Sequence, residues 1–292
     1  MITRRAEARR PGDRATVDVH DRDVVGRNGP VRVREYRSRN ERSEATPFVW
    51  VHGGGFISGG LDQRESDQVA RSIAATGRRV VAIDYRLIPL WTVIGRPRLK
   101  PSENRFPAQV NEVEDVVAEY SRSAPGGTVL LGGASAGAML ALSATVRRRD
   151  EGLPLPRALA LAYGTYHATL PPVPDHIAQR FRGRHRWQFF TPQNVHRMNL
   201  NYAGSEELLH RDGTFPGGGD VHGLPPVLLL DAEADGLRSS GESLGAELIA
   251  SGVAVSQQVV AGTGHGFLDK PRTTAFRDGV HRIAAFLDDH DR

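Results

Sequence analysis

The chain has 292 residues, of which 39% are hydrophobic and 25% charged, with a formal net charge of +4. This composition supports one large core and excludes low-complexity, collagen-like and strongly charged disordered chains. With no cysteine there is neither a disulfide nor a thiolate metal site.

The positive charge comes from arginine, since lysine occurs only at Lys100 and Lys270. Arg4, Arg5, Arg9, Arg10 and Arg14 crowd the start of the chain, which reads as a short, solvated N-terminal arm over 1–16. No aromatic or RNA-binding signature accompanies them, so nucleic acid is not an expected partner. No apolar segment follows the charged start, and none reaches the roughly 18 residues of a membrane span, so a cytoplasmic protein is expected.

In chain order, alternating runs at 17–25 and 31–36 flank Asn28-Gly29-Pro30 and predict an antiparallel hairpin. A strand at 48–51, a helix over 62–75 and a strand at 80–84 follow. Val110, Val113, Val116 and Val117 recur at helical spacing and predict a helix over 107–121. A strand at 128–132, a helix over 136–148 and a strand at 158–163 come next. The segment 165–223 breaks this rhythm: it is too long for a plain connection and rich in Pro, Arg, His and aromatics, and so predicts a cap insertion. Beyond it lie a strand at 226–230, a helix over 240–250, a strand at 255–260 and a last helix over 276–287. The alternation predicts a single α/β domain over 1–292, its mostly parallel central sheet covered by helices on both faces.

The chemistry gathers where predicted strands end. Gly133-Ala134-Ser135-Ala136-Gly137 follows the apolar run at 128–132 and opens a helix. A serine there would sit on a tight, strained turn with its hydroxyl above the sheet, and the Ala136 amide at the helix N-terminus would face developing negative charge. An ordinary Gly/Ala-rich strand-helix junction is the competing reading. His52-Gly53-Gly54-Gly55 follows the strand at 48–51, and its bare backbone lets the amides of Gly53 and Gly54 approach an oxyanion, with Ala136 as a third donor. His52 itself reads as a packing residue. Asp235 lies just past the strand at 226–230 and His265 just past that at 255–260, so Ser135, Asp235 and His265 stand in the serine, acid, histidine order of an α/β-hydrolase. Asp231 and Glu233 are rival acids, Asp231 the weaker for being inside the strand. Among eleven histidines, His167, His176, His185 and His196 are too widely spaced for a compact ligand pair, so neither metal nor cofactor is expected.

With these motifs the chain, from Phe48 to the last helix, resembles the hormone-sensitive-lipase-like carboxylesterases of the α/β-hydrolase superfamily. His52-Gly53-Gly54-Gly55-Phe56 is similar to the family's oxyanion loop, and Asp84-Tyr85-Arg86-Leu87 with Phe106-Pro107-Ala108 to its second signature. Ser135 falls at the nucleophile position, Asp235 at the acid and His265-Gly266-Phe267 at the histidine. The resemblance implies an α/β-hydrolase fold, ester hydrolysis through an acyl-enzyme, and a cap built from the N-terminal arm and the insertion. The chain departs from the family at Ala134, where Asp is frequent, at Ala138, where Gly is usual, and in the longer segment between Pro89 and Phe106.

Phe56, Trp91, Trp187 and Phe190 are candidates for the substrate pocket, and Phe181, Phe189 and Tyr202 either roof it, with Met198 filling gaps, or form the insertion's own small core. A short acyl group such as acetyl is expected on the acid side. Arg180, Arg182, Arg184 and Arg186 either favour an anionic or polar leaving group or are simply solvated. The expected partner is a small-molecule ester or N-acyl substrate, and a homodimer is compatible with such a chain. An amide deacetylase, a lyase or cyclase using the same triad, and a non-catalytic receptor on the same fold remain the alternatives.

Overall fold

The computed structural model describes residues 17–42, 44–90, 102–181 and 190–291. The expected arm over 1–16 lies outside the described residues. The chain opens with the hairpin β1 (Val17–Gly26) and β2 (Gly29–Ser38). It continues as β3 (Phe48–Val51), α1 (Arg64–Ala74), β4 (Val80–Asp84), α2 (Ala108–Ser123), β5 (Leu130–Ala134), α3 (Ala136–Asp150) and β6 (Leu159–Ala162). Between β6 and the next strand stand α4 (Asp175–Ala178), α5 (Pro192–Ala203) and α6 (Glu206–Leu209). β7 (Val227–Ala234), α7 (Arg238–Ala250), β8 (Val255–Gly264) and α8 (Thr274–Asp289) complete the series.

The strands form one eight-stranded sheet in the order β1-β2-β4-β3-β5-β6-β7-β8. The first hairpin joins antiparallel, through β2 on β4, and every later pairing is parallel. Side chains alternate across a strand, so Val49, Val51, Leu131, Leu159 and Leu229 meet α2, α3 and α7 on one face. Phe48, Trp50, Leu130, Leu228 and Leu230 meet α1 and α8 on the other. α3 is buried almost all round, so its sequence carries little amphipathic signal; it is the central helix behind the site. No helix among the described residues is long and apolar enough to cross a membrane.

Two features go beyond the sequence expectations. β7 holds Asp231, as expected, and runs on to Ala234, with Asp231 and Ala232 paired to Val259 and Val260 although the apolar run has ended. The residues between β6 and β7 also share the main core: Tyr202, Leu209, Phe215 and Leu224 pack with α2 and α3, and the Tyr202 ring lies 4.2 Å from that of Phe56 and edge-on to Phe106 and Phe215. Tyr202 is therefore part of the sheet's own core. It neither roofs a pocket nor belongs to a separate small core.

Candidate active site

The site is built on strand ends. β5 stops at Ala134 and α3 starts at Ala136, leaving Ser135 between them at φ 52°, ψ −118°. A non-glycine residue at such angles costs about 1–3 kcal/mol, held here by the surrounding structure. The Ser135 N–H donates to the Ala162 carbonyl at 2.8 Å, tying the turn to β6. Gly137 admits the first turn of α3 against β3, because a Cβ there would overlap the Val51 and His52 carbonyl oxygens. Ala134 and Ala138 are fully buried on either side, so a larger or charged residue at either place would need room the packing does not leave.

His265 reaches the serine from the end of β8. Its Nε2 lies 3.0 Å from Ser135 Oγ and its Nδ1 2.7 Å from Asp235 Oδ2. Asp235 is fully buried one residue beyond β7, and its other oxygen accepts the Leu237 N–H at 3.0 Å. Burial alone would lower the His265 pKa, but the Asp235 charge and hydrogen bond, joined by the Glu65 charge, raise it above the usual imidazole value.

The two rival acids go elsewhere. Glu233 accepts the Gly262 N–H at 2.8 Å and pairs with Arg180 at 3.2 Å. Asp231 stays inside β7, packed on Gly241 and within 3.4 Å of Gln257 Nε2. Burial pushes the Asp231 carboxyl up to about 7; the Asp235 charge adds to this while Gln257 opposes it. An unfolded Asp titrates near 3.9, so the folded state binds the extra proton between about 4 and 7, and its stability falls as pH rises through that interval. Asp231→Asn removes this loss. It is expected to stabilise the fold more at pH 8 than at pH 5, by a difference on the order of 2 kcal/mol, read from thermal melts at both pH values.

The glycine loop after β3 corrects one expectation. The Gly53 N–H is not available to an oxyanion, because it donates to the buried Glu65 Oε1 at 2.8 Å. The amides of Gly54 and Gly55 have no acceptor among the described residues, and neither does that of Ala136 at the start of α3. Gly54 has φ +119°, and a Cβ there would overlap the Ser58 carbonyl oxygen, so the loop needs glycine at that place. His52 is fully buried, with Nδ1 2.7 Å from the Gly53 carbonyl and its ring stacked on Tyr85 at 4.3 Å. Burial holds it down to about 4, and it serves as neutral packing within the loop. The second motif supports the same loop: the Tyr85 hydroxyl donates to the His52 carbonyl at 3.2 Å, and Glu112 holds Arg86 through both its side chain, at 2.6 Å, and its backbone N–H.

Of the expected pocket residues, Phe190 stands beside the site, its ring 4.4 Å from that of His265 and only partly buried. Phe56 does not line it: its ring is wholly buried on Tyr202, as the backbone turn at φ 67° directs it into the core. Trp91, Trp187 and Phe189 lie outside the described residues, as do His185, Arg182, Arg184 and Arg186. Met198 of α5 sits over the glycine loop, its Sδ 3.4 Å from where a Gly55 side chain would begin. Glu65 and Tyr163, whose hydroxyl donates to Glu65 Oε2 at 2.5 Å, escaped the sequence reading. No spacing rule relates them to Ser135, and the polar stretch around Glu65 looks like any solvated helix start.

A profile of the alpha/beta hydrolase fold family matches residues 48–269. The carboxylic ester hydrolase LipN of Mycobacterium tuberculosis is 31% identical over 269 residues, covering 89% of this chain; the chain in turn spans 66% of LipN's length. An acetyl esterase of Salmonella paratyphi B is 28% identical over 266 residues, or 86% of this chain and 73% of that protein. Among solved structures, the esterase of Pyrobaculum calidifontis superposes with a TM-score of 0.79 at 28% identity, covering 93% of this chain and 85% of its own. The carboxylesterase EstE1, cloned from a metagenomic library, also gives 0.79, at 25% identity and 94% and 90% coverage.

Proposed function

Because this chain belongs to the hormone-sensitive-lipase-like carboxylesterases of the α/β-hydrolase fold, we propose that it cleaves short-chain carboxylic esters, of the acetyl type, through a Ser135 acyl-enzyme. The observation that carries this reading is the imidazole of His265 standing between Ser135 Oγ, at 3.0 Å, and Asp235 Oδ2, at 2.7 Å. With Nδ1–H given to Asp235, Nε2 is the acceptor that takes the serine proton as Oγ attacks the ester carbonyl. The same nitrogen then returns the proton to the departing alcohol and later draws one from the water that releases the acid.

The oxyanion is held by the amides of Gly54, Gly55 and Ala136, each such donor contributing about 2.7–4 kcal/mol to the transition state. Ser135 and these amides follow the carboxyl ends of β3 and β5, parallel neighbours in the sheet, the edge at which ligands bind in open parallel sheets. Two neighbours support a small acyl group: Met198 stands over the Gly55 end of the glycine loop, and Phe190 packs on the His265 ring. The similarity to an acetyl esterase agrees with this choice.

A library of acyl esters and N-acyl amides of graded chain length tests the reading. Hydrolysis is expected to be fastest for acetyl and propionyl esters and slow for amides, with mass spectrometry finding a trapped acyl group on Ser135 and oxygen-18 from water in the released acid. Amides turned over faster than esters would make the protein a deacetylase. Product free of oxygen-18 would make it a lyase or cyclase, and no labelling of Ser135 by a fluorophosphonate would favour the receptor reading.

A further inference from the structure

We propose that Glu65 is a positioning residue for this reaction: its buried carboxylate fixes the oxyanion loop from below and places a second negative charge behind His265. The inference rests on the ester-hydrolase reading above and adds to it a residue outside the serine, histidine and aspartate set.

Glu65 is the second residue of α1, 3% exposed, and every polar group it owns is used. Oε1 accepts the Gly53 N–H at 2.8 Å, and Oε2 accepts the Tyr163 hydroxyl at 2.5 Å. Its own N–H donates to Asp269 Oδ1 at 3.2 Å, and its carbonyl accepts Trp50 Nε1 at 3.0 Å. One residue thus binds the loops that follow β3, β6 and β8, which carry two of the three oxyanion amides, Tyr163 and His265. The fit at Gly53 is close: a Cβ there would stand 2.6 Å from Glu65 Oε1 and 3.1 Å from Ser135 Cβ, so the bare glycine passes between carboxylate and nucleophile. Taking up the Gly53 amide sets the turn from which Gly54 and Gly55 leave.

Tyr163 extends the support to the imidazole. It is fully buried at φ 36°, with its ring edge-on to His265 at 5.0 Å and to Phe267 at 5.2 Å. Packing alone does not explain a carboxylate here, because burial raises its pKa and so penalises the charge. The Tyr163 and Gly53 hydrogen bonds and the nearby His265 act against that penalty and Asp269 adds to it, and the carboxyl stays above its ordinary value. The two oxygens take the Gly53 N–H and the Tyr163 hydroxyl as they stand, a pattern a carboxylate satisfies directly and an amide only if the tyrosine hydroxyl turns round to accept.

Glu65→Gln keeps the volume but removes the charge and one acceptor: its oxygen stays on the Gly53 N–H, and its NH2 meets Tyr163, whose hydroxyl gives up donating to the side chain in order to accept. The expected result is a fall in kcat of about 100-fold with KM little changed, as for a misplaced catalytic frame. Fluorophosphonate labelling of Ser135 should slow in parallel. Because the lost charge is one of those that raise His265, Asp235 being the other, the acid limb of the kcat/KM profile should move to lower pH. Tyr163→Phe keeps the ring, removes one hydrogen bond to the carboxylate, and should cost about tenfold in kcat with the limb displaced in the same direction. It decides the matter if Glu65→Gln does not fold. Wild-type kcat and an unmoved acid limb in the folded variant, or in Tyr163→Phe, overturn the assignment. A wild-type protein that hydrolyses no ester of the library overturns the ester-hydrolase reading itself, so the two failures are told apart.

Discussion

Ser135→Ala is expected to lower kcat/KM on an aryl acetate by about 10^5- to 10^6-fold, the scale seen when a nucleophile is removed from an established triad. The change deletes one oxygen and nothing else. Ser135 already carries a Cβ at φ 52°, so alanine inherits the same backbone strain without adding to it. The N–H to Ala162, the start of α3 and the packing of Gly137 on β3 do not involve the hydroxyl. Among the described residues the Oγ makes one hydrogen bond, to His265 Nε2 at 3.0 Å, and its loss leaves the imidazole held by Asp235. Tm should therefore stay within about 2 °C of wild type, corresponding to about 1 kcal/mol or less. What rate remains would come from the oxyanion amides acting on a water molecule. A variant with near-wild-type turnover and an unchanged melt would mean that another group attacks the ester.

The features that could be read from the chain are those governed by local rules. The hairpin around Asn28-Gly29-Pro30 and the helix bearing Val110, Val113, Val116 and Val117 follow from periodicity and turn chemistry, and the structure puts them at Val17–Ser38 and Ala108–Ser123. The convergence of Ser135, Asp235 and His265 was legible because each directly follows an apolar strand, and parallel strands bring their ends to one edge. β7 holds Asp231, as expected, and extends beyond it because backbone pairing with β8 continues to Ala234 after the apolar run has ended.

What the sequence did not disclose depends on partners far along the chain. Gly53 and Gly54 look alike in a run of three glycines. Only the carboxylate of Glu65, twelve residues away and brought back by α1, removes the first amide from service. Phe56 was expected in a pocket, and Tyr202 either over it or in a small core of the insertion, yet their stacking at 4.2 Å is decided by how α5 docks on the sheet. Periodicity reports which face of an element is apolar. It does not report which of two apolar surroundings that face will meet.

Asp235→Asn is the second large effect, an expected loss of about 10^4-fold in kcat with the fold intact. The argument turns on which atom carries hydrogen. Asp235 has one oxygen on the Leu237 N–H at 3.0 Å and the other on His265 Nδ1 at 2.7 Å. Asparagine would keep its oxygen on the Leu237 amide, since that N–H can only donate, and would turn its NH2 toward the imidazole. Nδ1 must then accept, the ring hydrogen moves to Nε2, and Nε2 can no longer take the proton of Ser135. The two nearby acids cannot stand in, since Asp231 is enclosed in β7 against Gly241 and Glu233 is held by Gly262 and Arg180. Removing the Asp235 charge also takes away what raises the His265 pKa, so the remaining activity should show an acid limb at lower pH than wild type. Protonation of the imidazole is therefore not the cause of the loss, and raising the pH through the wild-type limb should not restore the rate. The check is kcat and the rate of fluorophosphonate labelling from pH 5 to 9. A drop of less than about tenfold across that range would show that the imidazole keeps its working tautomer without the carboxylate.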